Sequence, residues 1–444
     1  MAYMLLFLIS WTDWFSISLK GEKVGYTQVV TKSVKDGHEI YELSHVELSM
    51  MGVKRGLKSI SQYKVNPDFG LNSFTFELKT EAQHILSRGE IKDGKLELLI
   101  KTGGTTQTKT IPIKGKVYPI TAIPMIAKRF TSSPEEIEVF DPSIQAVNTA
   151  TCRLLESRGD SIKVEVSILG ATSIAWVRTD GVLLSETQPM GIFMKRESKE
   201  EAIKIGTASP EVLTLFGIPS NIEIKNPRDV KLLKLIVHGE FLENERQKRQ
   251  GDTLTIQSLG PKTKGGGCFG RTSACSASLK PRLYTKPTPF IQSRDKRIID
   301  LSRQIVGKTR NPWNKVEKLV DWVSANIHDM PTVTIPSALD VLETMEGDCG
   351  EHSILFVALA RACGIPAQVV VGLVYMGGGS PRGGFYYHAW AKVWVGRWVE
   401  VEPTLGQPIA DATHIALAEG ELEEQAKIME LVDRIKLEVI EYKY

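Results

Sequence analysis

The sequence predicts a multidomain chain, an N-terminal antiparallel all-β region followed by an α+β domain. Three observations lead there. The chain has 444 residues, more than a single hydrophobic core usually organises. From Trp14 to about Ile256 the apolar residues recur with period two, the signature of strands with one buried and one wet face. After Ser293 the period lengthens to that of helices, and strands return only beyond Pro366.

The strand signal is explicit in two stretches. Phe74, Phe76 and Leu78 alternate with Thr75 and Glu77, and Ile162, Val164, Val166 and Ile168 alternate with Lys163, Glu165 and Ser167. Asp36-Gly37, Asp93-Gly94 and Asp180-Gly181 lie between such runs, where hairpin turns need residues that tolerate positive φ. A break at Phe140-Asp141-Pro142 divides an expected N-terminal β domain, 1–140, from a second β-rich domain, 141–260. Short helices are expected over Ser198–Ile205 and Ser209–Phe216. The stretch 261–286, rich in Gly, Ser, Lys and Pro, reads as a linker. The α+β domain is expected over 287–420, with 421–444 as a C-terminal extension.

Within 287–420, Ile298, Ile299, Leu301, Ile305 and Val306 form one apolar stripe. Asn311-Pro312-Trp313 opens a second helix, with Val316, Leu319, Val320 and Val323 inward. A third candidate spans Ser337–Met345. A fourth starts at Asp348 or Cys349 and stops at Cys363-Gly364, with Pro366 beyond. Strands are expected over Gln368–Met376, Phe385–Val395 and Trp398–Glu402.

Composition excludes some functions. The chain is 42% hydrophobic and 24% charged with a net charge of +3, and no long basic run suggests nucleic acid. Five cysteines, Cys152, Cys268, Cys275, Cys349 and Cys363, are too sparse for a disulfide scaffold. Cys268 and Cys275 are close enough in sequence to pair, but spacing does not decide it. No CxxC or structural zinc spacing is present, and no metal or organic cofactor is expected. The apolar run Met4–Ile9 is too short to span a bilayer, and it lacks a basic n-region. It reads either as a first strand or as a clipped export signal.

Chemistry gathers in three places. Cys349 opens an apolar helix in Gly347-Asp348-Cys349-Gly350-Glu351-His352. Unpaired N–H groups and the helix dipole favour an anion there, which would depress the thiol pKa and supply thiolate. The bland alternative is a small buried hydrophobe, and Cys363 suits that better. His388, in Tyr386-Tyr387-His388-Ala389-Trp390, is the candidate base, although a lone strand histidine is ordinarily structural. Glu402, in Val399-Glu400-Val401-Glu402-Pro403-Thr404, is the candidate acid, with Glu400 or Asp411 next in line. Strand geometry sets a condition. A three-residue loop Val395-Gly396-Arg397 puts Trp390 opposite Glu402 and Glu402 diagonally within reach of His388, whereas a two-residue loop separates their faces. Cys349, His352 and His388 also form an incomplete metal-ligand set. Trp390, Trp394 and Trp398 read as packing, Glu351 and His352 as helix support, and His414 as a structural residue.

These motifs together resemble the bacterial transglutaminase-like family, of papain-like thiol fold. The resemblance lies in Gly347–His352, the run LFVALARACGIP from Leu355 to Pro366, YHAWAKVWVGRWVEVEPT from Tyr387 to Thr404, and Asp411–Ile415. It covers about 130 residues strongly, and more loosely the β region around Trp14–Tyr26. It implies Cys349 as nucleophile, His388 as general base and Glu402 as orienting acid. It also implies thioester chemistry on amide or peptide bonds, by acyl transfer, deamidation or hydrolysis, with a peptide or protein substrate. A periplasmic or envelope location, with association with the cell envelope, is the expectation, and the cytoplasm the alternative. Two departures stand out: the family usually has Asp at Glu402 and often Arg at Gln368. The first leaves a non-catalytic peptide-binding or scaffold role as the competing function.

Overall fold

The computed structural model describes residues 10–50, 53–81, 83–206, 216–261, 283–330, 337–377, 382–420 and 434–444. The chain divides into two compact units, Met1–Glu211 and Val212–Tyr444.

The first unit is built on one 15-stranded sheet. Hydrogen-bonded neighbours run in reverse chain order from Thr105–Pro112 to Ser10–Leu19, then through Ile192–Glu197 back to Val117–Pro119. Two meanders are thus joined by the pairing of Ser10–Leu19 with Ile192–Glu197, from Trp14↔Glu197 to Leu19↔Ile192. The period-two residues do what the pattern requires: Phe74, Phe76 and Leu78 are buried while Thr75 is exposed. At the Asp93-Gly94 turn both residues have positive φ, 48° and 70°, matching the twist of the flanking strands.

The boundary expected at 140/141 is not where the units divide. Glu135–Asp141 pairs with Ala146–Arg158 as a hairpin, and the sheet runs on across it. The Asp141 carboxylate accepts from the Ser143 N–H at 2.8 Å and the Ser143 hydroxyl at 2.6 Å, so Asp-Pro marks a turn rather than a linker. A short helix occurs at Lys199–Ala202, capped by Ser198. Most of the expected helix Ser209–Phe216 lies outside the described residues, as do Met4–Ile9, Cys268 and Cys275.

The second unit joins helices to two larger sheets and to a two-stranded one of His328–Asp329 with Glu346–Gly347. Helices span Lys296–Val306, Pro312–Asn326, Ala338–Thr344 and Cys349–Ala362. The fourth is buried from Glu351 to Arg361 on all sides, as expected of a helix apolar all round, and the other three pack on it. One sheet runs Ile218–Pro219, Gly384–Trp394, Ala367–Met376, His414–Glu419, with Trp398–Val401 also on Gly384–Trp394. The other runs Gln247–Gln250, Thr253–Gln257, Leu232–His238, Lys436–Lys443.

These two sheets share one core. Leu233, Leu235, Leu254 and Ile256 from one and Leu373, Phe385 and Ile415 from the other belong to a single buried cluster, with Val439. Burying each such side chain is worth about 1.5–3 kcal/mol, which makes the cluster a strong bond between the sheets. Residues expected in a second β-rich domain, and in an extension after 420, are therefore integral to the unit that holds Cys349. Among the described residues no helix is long and apolar enough to cross a membrane.

Candidate functional site

Cys349 is the first residue of its helix. Asp348 caps it, accepting from Gly350 N–H at 2.8 Å, while Glu351 accepts from Asp348 N–H at 3.1 Å. The cap requires glycine at 347, where a Cβ would sit 2.1 Å from the Glu351 Cβ. His352 is buried with its Nδ1 2.7 Å from the Asp348 carbonyl. Glu351 and His352 thus brace the helix start and leave Cys349 in a partly open position. Cys349, His352 and His388 do not gather as a ligand set among the described residues.

The strand bearing His388 packs on this helix. Its partner Trp398–Val401 returns through the three residues 395–397, with Trp394 opposite Trp398 and Ala391 opposite Val401. Glu402 follows in the same register, so His388 and Glu402 share a face. His388 Nε2 lies 2.6 Å from Glu402 Oε2. Cys349 lies close enough to the His388 ring for each to shift the other's proton affinity, so the three residues gather at one place. The imidazole is 11% exposed and Glu402 is fully buried.

Glu402 is held on every side. Its backbone pairs with Gln407 in an isolated bridge. Oε1 accepts from Thr404 N–H at 2.7 Å and Leu405 N–H at 3.3 Å. Oε2 meets a second imidazole, His414 Nε2, at 3.0 Å. His414 Nδ1 is 3.3 Å from Asp411 Oδ2, which is 3.1 Å from Arg228 Nη1. Charges therefore alternate inward from the thiol: His388, Glu402, His414, Asp411, Arg228.

A parallel pair braces the strand. Buried Arg246 donates to Glu400 at 2.8 Å and to the His414 carbonyl at 2.7 Å, and it also reaches the Asp411 carbonyl. Glu400 accepts from the Trp390 indole at 2.8 Å. The next-in-line acids are thus engaged elsewhere, Glu400 with Arg246 and Trp390, and Asp411 with His414, Arg228 and Thr413. Gln247 brackets Ala416 with both ends of its amide, at 2.9 Å and 3.0 Å.

Charge states follow from these contacts. Burial works against ionised Glu402, yet His388 and His414 hold it well below the usual carboxylate range. Burial also opposes the His388 imidazolium, but Glu402 and Cys349 outweigh it and push His388 up to about 9. Asp411 is pulled down to about 2 against burial, chiefly by His414. His414 is raised, with Asp411 and Glu402 overcoming its burial. The Cys349 thiol departs from the sequence expectation. It is raised, because burial is the largest effect and Asp348 adds to it, outweighing His388 and the Ala389 backbone N–H.

His388, Glu402 and His414 are the single group among the described residues whose donor atoms gather within 4.8 Å of one another, the reach of a metal site. Ligand atoms around a tetrahedral zinc lie about 3.3 Å apart, given bonds of 2.0–2.1 Å. The 2.6 Å and 3.0 Å separations here suit shared protons instead.

Sequence reasoning missed Arg228, Arg246 and the part played by His414. Arg246 sits in Glu243-Asn244-Glu245-Arg246-Gln247-Lys248-Arg249, which reads as a solvated run. Asp411–His414 carried a signal, since acid and histidine three residues apart after a loop invite the question of what they hold.

Residues 299–403 match the family model described as transglutaminase-like superfamily, so this part of the chain is a transglutaminase-like domain. An uncharacterized protein of Haemophilus influenzae is 34% identical over 101 residues, 22% of this chain and 27% of that protein. The uncharacterized protein YebA of Bacillus subtilis is 29% identical over 145 residues, 28% of this chain and 20% of YebA. The chain spans less than half the length of these curated relatives. Among solved structures, the periplasmic domain of TgpA from Pseudomonas aeruginosa aligns with 63% of this chain and 83% of its own, at 13% identity and a TM-score of 0.25.

Proposed function

We propose that the unit Val212–Tyr444 is a Cys–His–acid thiol enzyme that cleaves or transfers amide or peptide acyl groups. The observation that carries this reading is the grouping of Cys349, His388 and Glu402, with Cys349 only partly exposed and Glu402 sealed from solvent. Cys349 sulfur attacks the carbonyl carbon, and the carbonyl π electrons move to oxygen. The Cys349 N–H, in the first helical turn without an intrahelical acceptor, holds that oxyanion. Collapse breaks the C–N bond, His388 gives its proton to the departing nitrogen, and a thioester remains. Water or an amine then loses a proton to His388, attacks the thioester and releases the thiol. Glu402 keeps the imidazole oriented and stabilises its cation throughout.

The protonation states add a pH signature. With His388 up at about 9 and the thiol raised as well, the neutral-pH pair carries one proton too many for attack. Loss of one proton from the coupled pair gives the working form, so activity rises with pH toward about 9.

One observation favours a second reading, that of a non-catalytic peptide-binding module: burial raises the Cys349 thiol. Trapping separates the two. An activated acyl donor should leave a thioester on Cys349, mapped by mass spectrometry, and none in Cys349→Ala. Hydrolysis or transfer persisting undiminished in Cys349→Ala would sink the catalytic assignment. The family match supports a peptide or protein substrate, and we place its encounter with this chain outside the cytoplasmic membrane as part of the proposal. Fractionation of the native host, finding the chain only in the cytoplasm, would remove that part.

A further inference from the structure

The first unit contains a cavity of about 210 Å³ whose chemistry the thiol site does not explain. Its wall is mostly apolar, with Phe15, Ile123, Met125, Val164, Val166 and Met194 among the lining side chains. Into the same space reach Glu42, from the strand Gly37–Met50, and Glu186, from Leu183–Thr187. Three strands lie between these two in the sheet order, about 19 Å along a flat sheet at roughly 4.8 Å per pairing. Glu186 nevertheless repels charge on Glu42, so the sheet curls until the two carboxyls face a common space.

The charges in this cavity do not balance. Among the described residues three acids line it, Asp13, Glu42 and Glu186, and no Lys, Arg or His does. Asp13 is accounted for by Arg196, whose Nε is 2.7 Å away. Glu42 accepts from the Thr121 hydroxyl and is also bonded by Ser44. Glu186 is bonded by Ser173 and Gln188. Neither has a cationic partner among the described residues. Neither is fully covered by neighbouring atoms, because the cavity stands where packing would be. Burial raises both carboxyls, and Asp141 raises Glu42 further. Two carboxyls without a counter-charge, in a pocket without a cation, are the complement of a positive ligand.

We propose that this cavity binds a small organic cation, a primary ammonium ion carrying a compact apolar body. The apolar wall takes the hydrocarbon, and the ammonium supplies the counter-charge that Glu42 and Glu186 lack. The volume lies below the roughly 300–1,000 Å³ of drug-sized pockets, so the ligand is a small molecule rather than a peptide. This inference is independent of any activity at Cys349.

The test uses the full chain near pH 7.5, with cyclohexylmethylamine as probe and cyclohexylmethanol as its uncharged counterpart, followed by calorimetry. The amine should bind at least about tenfold more tightly than the alcohol, since a buried counter-charge is expected to dominate. Glu42→Gln and Glu186→Gln should each weaken the amine by about tenfold and leave the alcohol unchanged, in proteins that keep wild-type near-UV dichroism. Ala175→Leu, which fills the cavity, should abolish both, and it serves if a Gln variant misfolds. Equal binding of amine and alcohol overturns the proposal. So does an absence of amine binding, or amine binding that survives in the Glu42→Gln/Glu186→Gln double variant.

Discussion

Glu402 and Glu42 are the same residue in opposite circumstances. Both are removed from bulk water, one beside His388 in the thiol unit and the other at the cavity of the β unit. Glu402 lies between two imidazoles and two backbone N–H groups, and its carboxyl is held low. Glu42 has hydroxyls and other acids for neighbours, and its carboxyl is raised. Burial raises both, so the difference comes entirely from the company each keeps. A buried acid with a cation is a fixed charge that can do work. A buried acid without one is a proton-holder that awaits a partner.

The largest test of this contrast lies in the charge of Glu402. Glu402→Gln keeps the shape but cannot stabilise the imidazolium, and kcat should fall by about 10³–10⁴. A change below threefold would show that Glu402 does not act through charge. Arg246→Met comes next. It strands Glu400 without its cation in a pair that is 5% exposed at both ends, and should cost about 3–5 kcal/mol in urea unfolding. A cost under about 1 kcal/mol would mean that water reaches Glu400 after all.

Removing the second imidazole is milder. His414→Asn leaves Glu402 its other partners, and kcat should drop about 10–100-fold, as for other residues that orient a working ligand. The nitrogen-15 shift of the His388 ring should move with it. An unchanged ring signal would reduce His414 to packing. Smallest is the opposite effect in the β unit. Glu42→Gln should leave stability at pH 7 unchanged or raise it, since the neutral amide escapes the penalty that burial places on the ionised carboxyl.

The pH signs differ accordingly. Asp411, held down at about 2 against an ordinary 3.8, contributes stability that is present above pH 4 and lost toward pH 2. Glu402 behaves likewise. Glu42 contributes most below its ordinary 4.5, and loses that contribution as pH rises through its raised folded value. Urea midpoints of Asp411→Asn and Glu42→Gln, taken across pH 3–8, should diverge from wild type in opposite directions as pH rises, the first falling below it and the second not.

Much of the site was legible because it is local. The period-two pattern puts Glu402 on the His388 face provided that the loop has three residues, which is its length in the fold, and the cap residues named the start of the Cys349 helix. What stayed hidden is long-range. Arg246 meets Glu400 across 154 positions, and no local pattern separates a buried arginine from a solvated one in a polar run. The same holds for the unit boundary. Asp141-Pro142 signals a turn, and a turn inside a sheet resembles a turn between domains until the pairing is known. The state of Cys349 was misread for a related reason: the helix end is visible in sequence, whereas the burial that outweighs it is not.

The pairing of Leu232–His238 with Lys436–Lys443 has a consequence in time. The two strands are about 200 residues apart, so at some 5–20 residues per second a ribosome needs on the order of ten seconds or more to deliver the second. Throughout that interval Leu232–His238 presents an unpaired edge, and the sheet carrying Arg246 lacks a flank. The acid strand that Arg246 braces therefore forms against an incomplete support. A nascent chain stalled before residue 436 should expose Cys349 to alkylation faster than the released protein, so that the thiol's chemical reactivity becomes a clock for the closing of the fold.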